Sequence, residues 1–229
     1  MHIEKWWGIN NNKSVLINEN TMNIQGNKIS LVKDLYYKEF YSAREIAQRL
    51  NVSIDAVYYF MKKYNLERRN FREVNGITFS KKPLSFFPKG KLSTLEERLK
   101  LTGVMLYWCE GRKGSKGHEM IDFVNSDPEM IGIFMKFLRT ICGVKESKLR
   151  VLLYCYNNQN IESLLKFWNK ITKIPINQFS KPYVRIDFNI NKQNKMPYGL
   201  IHVRYADKKL FLLMKDWLNI FKKEFMKGR

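Results

Sequence analysis

Residues 101–111 read Leu101-Thr102-Gly103-Val104-Met105-Leu106-Tyr107-Trp108-Cys109-Glu110-Gly111. From Leu101 to Cys109 nearly every side chain is apolar, which predicts a helix buried on several sides rather than along one stripe. The run ends on a carboxylate, Glu110, followed by Gly111, a residue type that commonly caps helix C-termini. The carboxylate is out of place there, because the C-terminal end of a helix is the negative end of its dipole. A cation repairs the mismatch. Arg112 and Lys113 can supply it from the chain, and a divalent metal can supply it from solution.

Working outward, Ser93 and Glu96 form a capping box that starts this helix. Ser126, Asp127 and Pro128 open a second helix, since proline is tolerated in a first turn where its missing N–H is not needed; it ends near Cys142-Gly143. A third helix is expected over 161–171. A last one starts at Asp207, a good N-cap, and runs to about Phe225. The segments between them alternate with the period of a strand. Over 149–156, Leu149, Val151, Leu153 and Cys155 oppose Arg150, Leu152, Tyr154 and Tyr156. Over 183–190, Val184, Ile186, Phe188 and Ile190 oppose Tyr183, Arg185, Asp187 and Asn189. Over 199–205, Ile201, Val203 and Tyr205 oppose Leu200, His202 and Arg204, and residues 120–125 make a less regular strand. Such alternation marks a sheet with helices on one face and an open second face. The open face carries Arg, Tyr, His and Asn, a composition suited to reading nucleic acid. A merely solvated face is the plainer alternative.

The N-terminal part differs. Residues 1–28 are an Asn-rich extension containing Trp6 and Trp7. Residues 29–66 read as a small all-α domain of three short helices. The first runs from Ser30, which can cap it, to Phe40, with Leu31, Leu35 and Phe40 apolar. Ser42 and Glu45 form a capping box for the second, Asn51 suits the turn, and Ser53 caps a third carrying Ile54, Val57, Met61 and Tyr64 on one face. Residues 67–92 hold scattered cations among Pro83, Pro88 and Gly90 and read as a basic linker. Residues 93–229 form the larger domain, giving an α+β protein.

Composition narrows the partner. Lys and Arg number 41 against 21 Asp and Glu, a formal net charge of +20. Such an excess repels itself in a packed state and points to a polyanion, with nucleic acid ahead of an anionic membrane. Cys109, Cys142 and Cys155 form no disulfide framework and read as buried thiols of a reducing cytoplasm. Neither they nor His2, His118 and His202 have zinc-ligand spacing. No apolar run is long enough to span a bilayer, so an intracellular, cytoplasmic protein is expected. There is no Walker-type glycine loop, His118 lacks the companions of an His-Asn-His nuclease, and Glu110-Gly111-Arg112 lacks the lysine of an Asp…Glu-x-Lys site.

Two resemblances add to this reading. Residues 42–64, with Ala47 where two helices cross, Asn51 in the turn and Val57 packing back, resemble a helix-turn-helix. Its recognition helix would present Ser53, Asp55, Tyr59, Lys62 and Lys63, with Ala56, to a DNA major groove. Residues 103–111 resemble the helix of LAGLIDADG homing endonucleases, with Glu110-Gly111 at the place of the terminal acidic-Gly pair. That resemblance, over about 93–225, implies an α-β-β-α-β-β-α core with the 161–171 helix added, and an antiparallel saddle sheet over double-stranded DNA. It also implies a homodimer in which Glu110 of each copy binds Mg²⁺ or another divalent cation for phosphodiester cleavage. Lys113, Lys181 and Lys195 are candidates for a basic group nearby, and Arg150, Tyr154, Arg185, His202 and Arg204 for DNA contact. The family packs small residues between its paired helices, whereas the aligned positions here hold Met105 and Cys109, and Tyr107 and Trp108 add bulk. The same fold serves DNA-binding regulators that do not cut, so a site-specific endonuclease and a non-cleaving transcriptional regulator both follow. An RNA-binding or splicing-helper role is a third reading.

Overall fold

In a computed structural model of the chain, which describes residues 24–114, 117–186 and 196–226, helices start at the capping residues that mark them in the sequence. The chain divides into two compact units, Met1–Lys82 and Pro83–Arg229.

In the first unit, α1 (Ile29–Lys33) runs into a π-helical turn (Asp34–Lys38), followed by α2 (Ala43–Leu50), α3 (Ile54–Lys63) and α4 (Phe71–Lys81). The Ser42 N–H donates to the Glu45 carboxylate at 2.6 Å and the Glu45 N–H donates to Ser42 Oγ, closing the capping box. Asn51 takes the left-handed conformation (φ 54°, ψ 47°) that turns the chain into α3. The core joins Val32, Leu35 and Tyr36 to Ile46, Ala47, Val57, Phe60 and Met61. Of the apolar positions read for the first helix, Leu35 is buried, whereas Leu31 and Phe40 are exposed (45% and 50%). The buried face is Val32, Leu35 and Tyr36, spaced i, i+3, i+4; Leu31 falls off that face, and Phe40 lies beyond the π turn with a left-handed backbone (φ 57°).

The stretch expected as a basic linker is ordered helix in its first part. Asn70 and Glu73 form a capping box that starts α4, and Arg69 lies 3.8 Å from the Tyr36 ring centre while donating to the Tyr41 carbonyl at 2.8 Å and to that of Tyr36. Lys81 donates to the Phe40 carbonyl at 2.9 Å. The later part belongs to the second unit. There Phe87 N–H donates to the Gly143 carbonyl at 3.0 Å and Lys89 N–H to that of Ile141 at 2.9 Å.

The second unit runs α5 (Thr94–Glu110), β1 (Ile121–Asn125), α6 (Pro128–Thr140), β2 (Leu149–Tyr156), α7 (Ile161–Thr172), β3 (Tyr183–Arg185), β4 (Leu200–Tyr205) and α8 (Lys208–Met226). The protein is thus mixed α and β. The sheet order is β1-β4-β2-β3, with β4 antiparallel to both neighbours and β3 parallel to β2. Two expectations change. The sheet is mixed, not antiparallel, because helix α7 carries the chain back between β2 and β3, as a parallel pair requires. The expected α-β-β-α-β-β-α order is replaced, with β1 the one strand described between α5 and α6 and only an isolated Gly111–Phe123 bridge before it.

The period-two reading of β2 and β4 matches the burial. Leu149, Val151, Leu153, Ile201, Val203 and Tyr205 are buried with Phe123, Phe134, Phe137, Trp168 and Leu210. On β3, Val184 and Ile186 are exposed rather than inward, and positions 187–190 lie outside the described residues. Cys142 and Cys155 are buried, and burial pushes both thiols up. Cys109, expected buried, is exposed. Among the described residues no helix is long and apolar enough to cross a membrane.

Gly103 is where α5 meets α6. A Cβ at that position would sit 2.1 Å from Cγ of Phe137. Gly103→Ala is therefore expected to lower stability by about 1–3 kcal/mol through overpacking. Adding Phe137→Leu should recover part of the loss in thermal melts. A full cost persisting in the double variant would contradict this packing.

Asp207 caps α8, accepting from the Lys209 N–H at 2.8 Å and the Leu210 N–H at 3.2 Å, with Ser85 and Lys148 on its other oxygen. Burial works against the charged form. The bonds from Ser85 and Leu210 and the charge of Lys148 outweigh it and hold the carboxyl below the usual Asp range. A lowered folded pKa contributes stability that is present above the unfolded value, about 3.9, and is lost as pH falls through the folded one. Asp207→Asn should lower Tm at neutral pH and flatten the acid limb of a Tm-against-pH curve. An unchanged acid limb would remove Asp207 from that role.

Candidate nucleic-acid interface

The strand registers fix which side chains share the open face of the sheet. Asp122, Arg204 and Arg150 lie side by side on β1, β4 and β2. Val124, His202 and Leu152 form the next row, then Leu200, Tyr154 and Tyr183, then Tyr156 and Arg185. Four of the expected contact residues, Arg150, Tyr154, His202 and Arg204, therefore gather on adjacent strands, with Arg185 on β3 beside them.

At one end of this face lies an acid that sequence reading passed over. Asp122 is only 1% exposed although it sits on the open side. Its Oδ1 lies 2.9 Å from His202 Nδ1, and its Oδ2 accepts from Arg204 Nε at 3.2 Å. The His202 ring is thereby held by its Nδ1 edge against the carboxylate. The ring is also packed 4.9 Å from that of Tyr154, which in turn lies 4.9 Å from Tyr183. Arg150 is tied back, its Nη1 donating to the Ser147 and Leu149 carbonyls at 2.7 Å, so part of its donor set serves the backbone. The Arg185 guanidinium stands 5.9 Å from the Tyr156 ring centre.

The end of α5 adjoins this region through the backbone. Arg112 N–H donates to the Asp122 carbonyl at 2.8 Å, and Gly111 bridges to Phe123. Tyr107 locks the turn, its hydroxyl donating to the Arg112 carbonyl at 2.9 Å. Burial pushes that phenol up to about 12; the Asp122 N–H opposes the shift and the Asp122 carboxylate adds to it. Gly111 is extended (φ −78°), not left-handed. It is needed for another reason, since a Cβ there would meet the Tyr107 carbonyl at 2.3 Å. Glu110 is exposed. Lys113 donates to the Trp108 carbonyl, so the cation expected to offset Glu110 instead satisfies the free carbonyl end of the helix. Lys181 is exposed on the segment before β3, and Lys195 lies outside the described residues. Among the described residues no three His, Cys, Asp or Glu side chains gather as metal ligands.

In the first unit, Ser53, Asp55, Tyr59, Lys62 and Lys63 are all exposed on α3, and Ala56 is buried. Ser53 also caps the helix, its Oγ accepting from the Ala56 N–H at 3.0 Å. Comparison of the chain with protein-family models, with curated proteins and with solved structures gave no match.

Asp122 had a signal in the sequence: a lone acid between Ile121 and Phe123 in an apolar strand must find donors or not be buried. Asp122→Asn is expected to cost about 1–3 kcal/mol, less than for a fully enclosed pair, because His202 and Arg204 can still reach water. In an Arg204→Leu background the cost should shrink. Strict additivity of the two changes in a double-mutant cycle would mean that the pair is not coupled.

Proposed function

We propose that the chain is a double-stranded DNA-binding protein of LAGLIDADG-like type with an N-terminal helix-turn-helix. In this reading it works as a homodimer and cuts DNA through Glu110. The observation that carries the DNA reading is the open sheet face, where Arg150, Arg185, Arg204, His202 and Tyr154 converge on adjacent strands in a chain of formal net charge +20. Cationic and amphipathic side chains on one surface suit phosphates and base edges together. The exposed α3 face, with Tyr59, Lys62 and Lys63, supports the helix-turn-helix.

Cleavage rests on Glu110. It is a solvent-exposed carboxylate at a helix end where the dipole disfavours it, and the neighbouring Lys113 is engaged elsewhere. Among the described residues of one chain no second acid joins Glu110, and a single acid is a poor site for a divalent cation. Glu110 from two copies would fit better, and Leu101 and Trp108, seven residues apart on α5, leave exposed apolar surface on which a second copy can pack. A divalent cation held there supplies Lewis acidity and an activated water. The chain's own part is to bind the duplex and to hold the two carboxylates at the axis.

A second reading, a transcriptional regulator without cleavage, draws on a specific feature of α5. Its one glycine, Gly103, is spent on Phe137 of the same chain, and Trp108, 42% exposed, sits under Lys222 (4.8 Å). Bulk at that end hinders the close helix pairing that brings two acids together.

Glu110→Gln separates the readings. For the nuclease, the variant should melt like wild type, bind duplex DNA with near wild-type affinity and lose Mg²⁺-dependent cutting of a pooled DNA library by several orders of magnitude. Undiminished cutting by the variant would eliminate Glu110 as the catalytic acid. Binding without cutting by wild type on every sequence would establish the regulator.

A further inference from the structure

The aromatic rings on the open face have a use that duplex binding does not give them. Tyr183 on β3, Tyr154 on β2 and His202 on β4 form a diagonal strip across three adjacent strands. Successive ring centres are 4.9 Å apart, and successive planes are tilted by 39° and 34°. Tyr183 is 56% exposed. At the β3 end the strip opens into a recess of about 720 Å³ bordered by Val184, Arg185 and Ile186. Inside a duplex the faces of the bases are already covered by their neighbours, and only their edges are presented in the grooves. Tyr183 stands exposed at the outer end of the strip, with Tyr154 half-buried beside it and His202 beyond. An exposed ring on a cationic surface, backed by further rings, matches the other state of nucleic acid, in which bases are unpaired and their faces need covering.

We propose that the Tyr183–Tyr154–His202 strip is a stacking platform for unpaired bases, and that single-stranded DNA is a further ligand of the second unit. The cations are placed for it. Arg185 lies at one end of the strip and Arg204 and Arg150 at the other, so that a strand whose bases rest on the rings runs its phosphates past guanidinium groups at both ends. Asp122 gives the platform its fixed end by holding His202 through Nδ1. The choice of DNA over RNA rests on the DNA reading above; the choice of unpaired over paired bases rests on the rings alone.

The test uses the full-length protein and fluorescence anisotropy with a labelled oligothymidine. An abasic strand of the same length is compared with it, since it keeps the phosphates and removes the bases. A duplex of that length and the matching RNA complete the set. The intact DNA strand is expected to bind about ten-fold or more tighter than the abasic one, the scale of a single base–aromatic contact. Tyr183→Leu, at the exposed position and outside the residues assigned to duplex contact, should sharply reduce that preference and leave duplex affinity and melting temperature nearly unchanged. Tyr183→Phe should keep it, because the ring face and not the hydroxyl carries the contact. Equal binding of intact and abasic strands, or a preference undiminished by loss of the Tyr183 ring, would overturn the platform. Tighter, ring-dependent binding of RNA would overturn its assignment to DNA. Loss of duplex binding alone, with the single-strand preference intact, would count against the duplex reading and leave the platform standing.

Discussion

A carboxylate that is 1% exposed cannot be left without donors, and on the open face of this sheet the requirement falls on Asp122. Meeting it takes two side chains from the neighbouring strand, His202 and Arg204. Both are side chains that would otherwise sample many rotamers on a solvated surface. Their placement propagates. His202 packs against Tyr154, Tyr154 against Tyr183, and a face composed of independent residues becomes an ordered strip. The same strand position receives the turn after α5 through the Arg112–Asp122 backbone bond. The exposed Glu110 and the basic face are thereby anchored to one residue of β1.

The excess of positive charge also has more than one use. Arg69, Lys81, Lys113, Arg139 and Arg150 each donate to backbone carbonyls. These are carbonyls at helix ends or turns, which need donors that the helix itself does not provide. Arg139 also pairs with Glu146 at 2.7 Å. Counting cations therefore overstates what is left for a polyanion, and position decides. On the exposed side of α3, Lys62 and Lys63 stand where a large ligand can reach them, whereas Arg150 and Arg204 of the sheet face share their donors with the backbone and with Asp122.

Much of the fold was legible because its signals are local. Ser42, Ser53, Ser93, Asp127 and Asp207 mark helix starts by satisfying first-turn N–H groups, which needs only nearby residues. The alternation of β2 and β4 is likewise written in single strands. What escaped depends on distant partners. Helix α4 has no buried residue, its Phe71 and Val74 being exposed, and its ties run through Arg69 and Lys81 to Tyr36, Tyr41 and Phe40. The parallel β2–β3 pair depends on where α7 returns the chain, which no strand records. At the site, the residues of the open face were legible by period, but the donor set that fixes them was not. Asp122 meets His202 and Arg204 only through the β1–β4 register.

Glu110 stands apart from this economy of paired groups. At helix starts in the second unit, acids have structural work: Asp127 and Asp207 cap N-termini, and Glu96 closes a capping box. Glu110 occupies the opposite end of a helix, where the dipole is unfavourable. The helix needs nothing from it, because Gly111 N–H returns to the Tyr107 carbonyl and Lys113 covers that of Trp108. Water screens the side chain, so the penalty is a few tenths of a kcal/mol up to about one. The fold gives Glu110 no capping role, and that is the feature on which the proposed cleavage reading draws. Tyr183 is likewise a residue that the core does not require: it is exposed, and what fixes its ring is the contact with Tyr154, which is the feature the stacking proposal rests on.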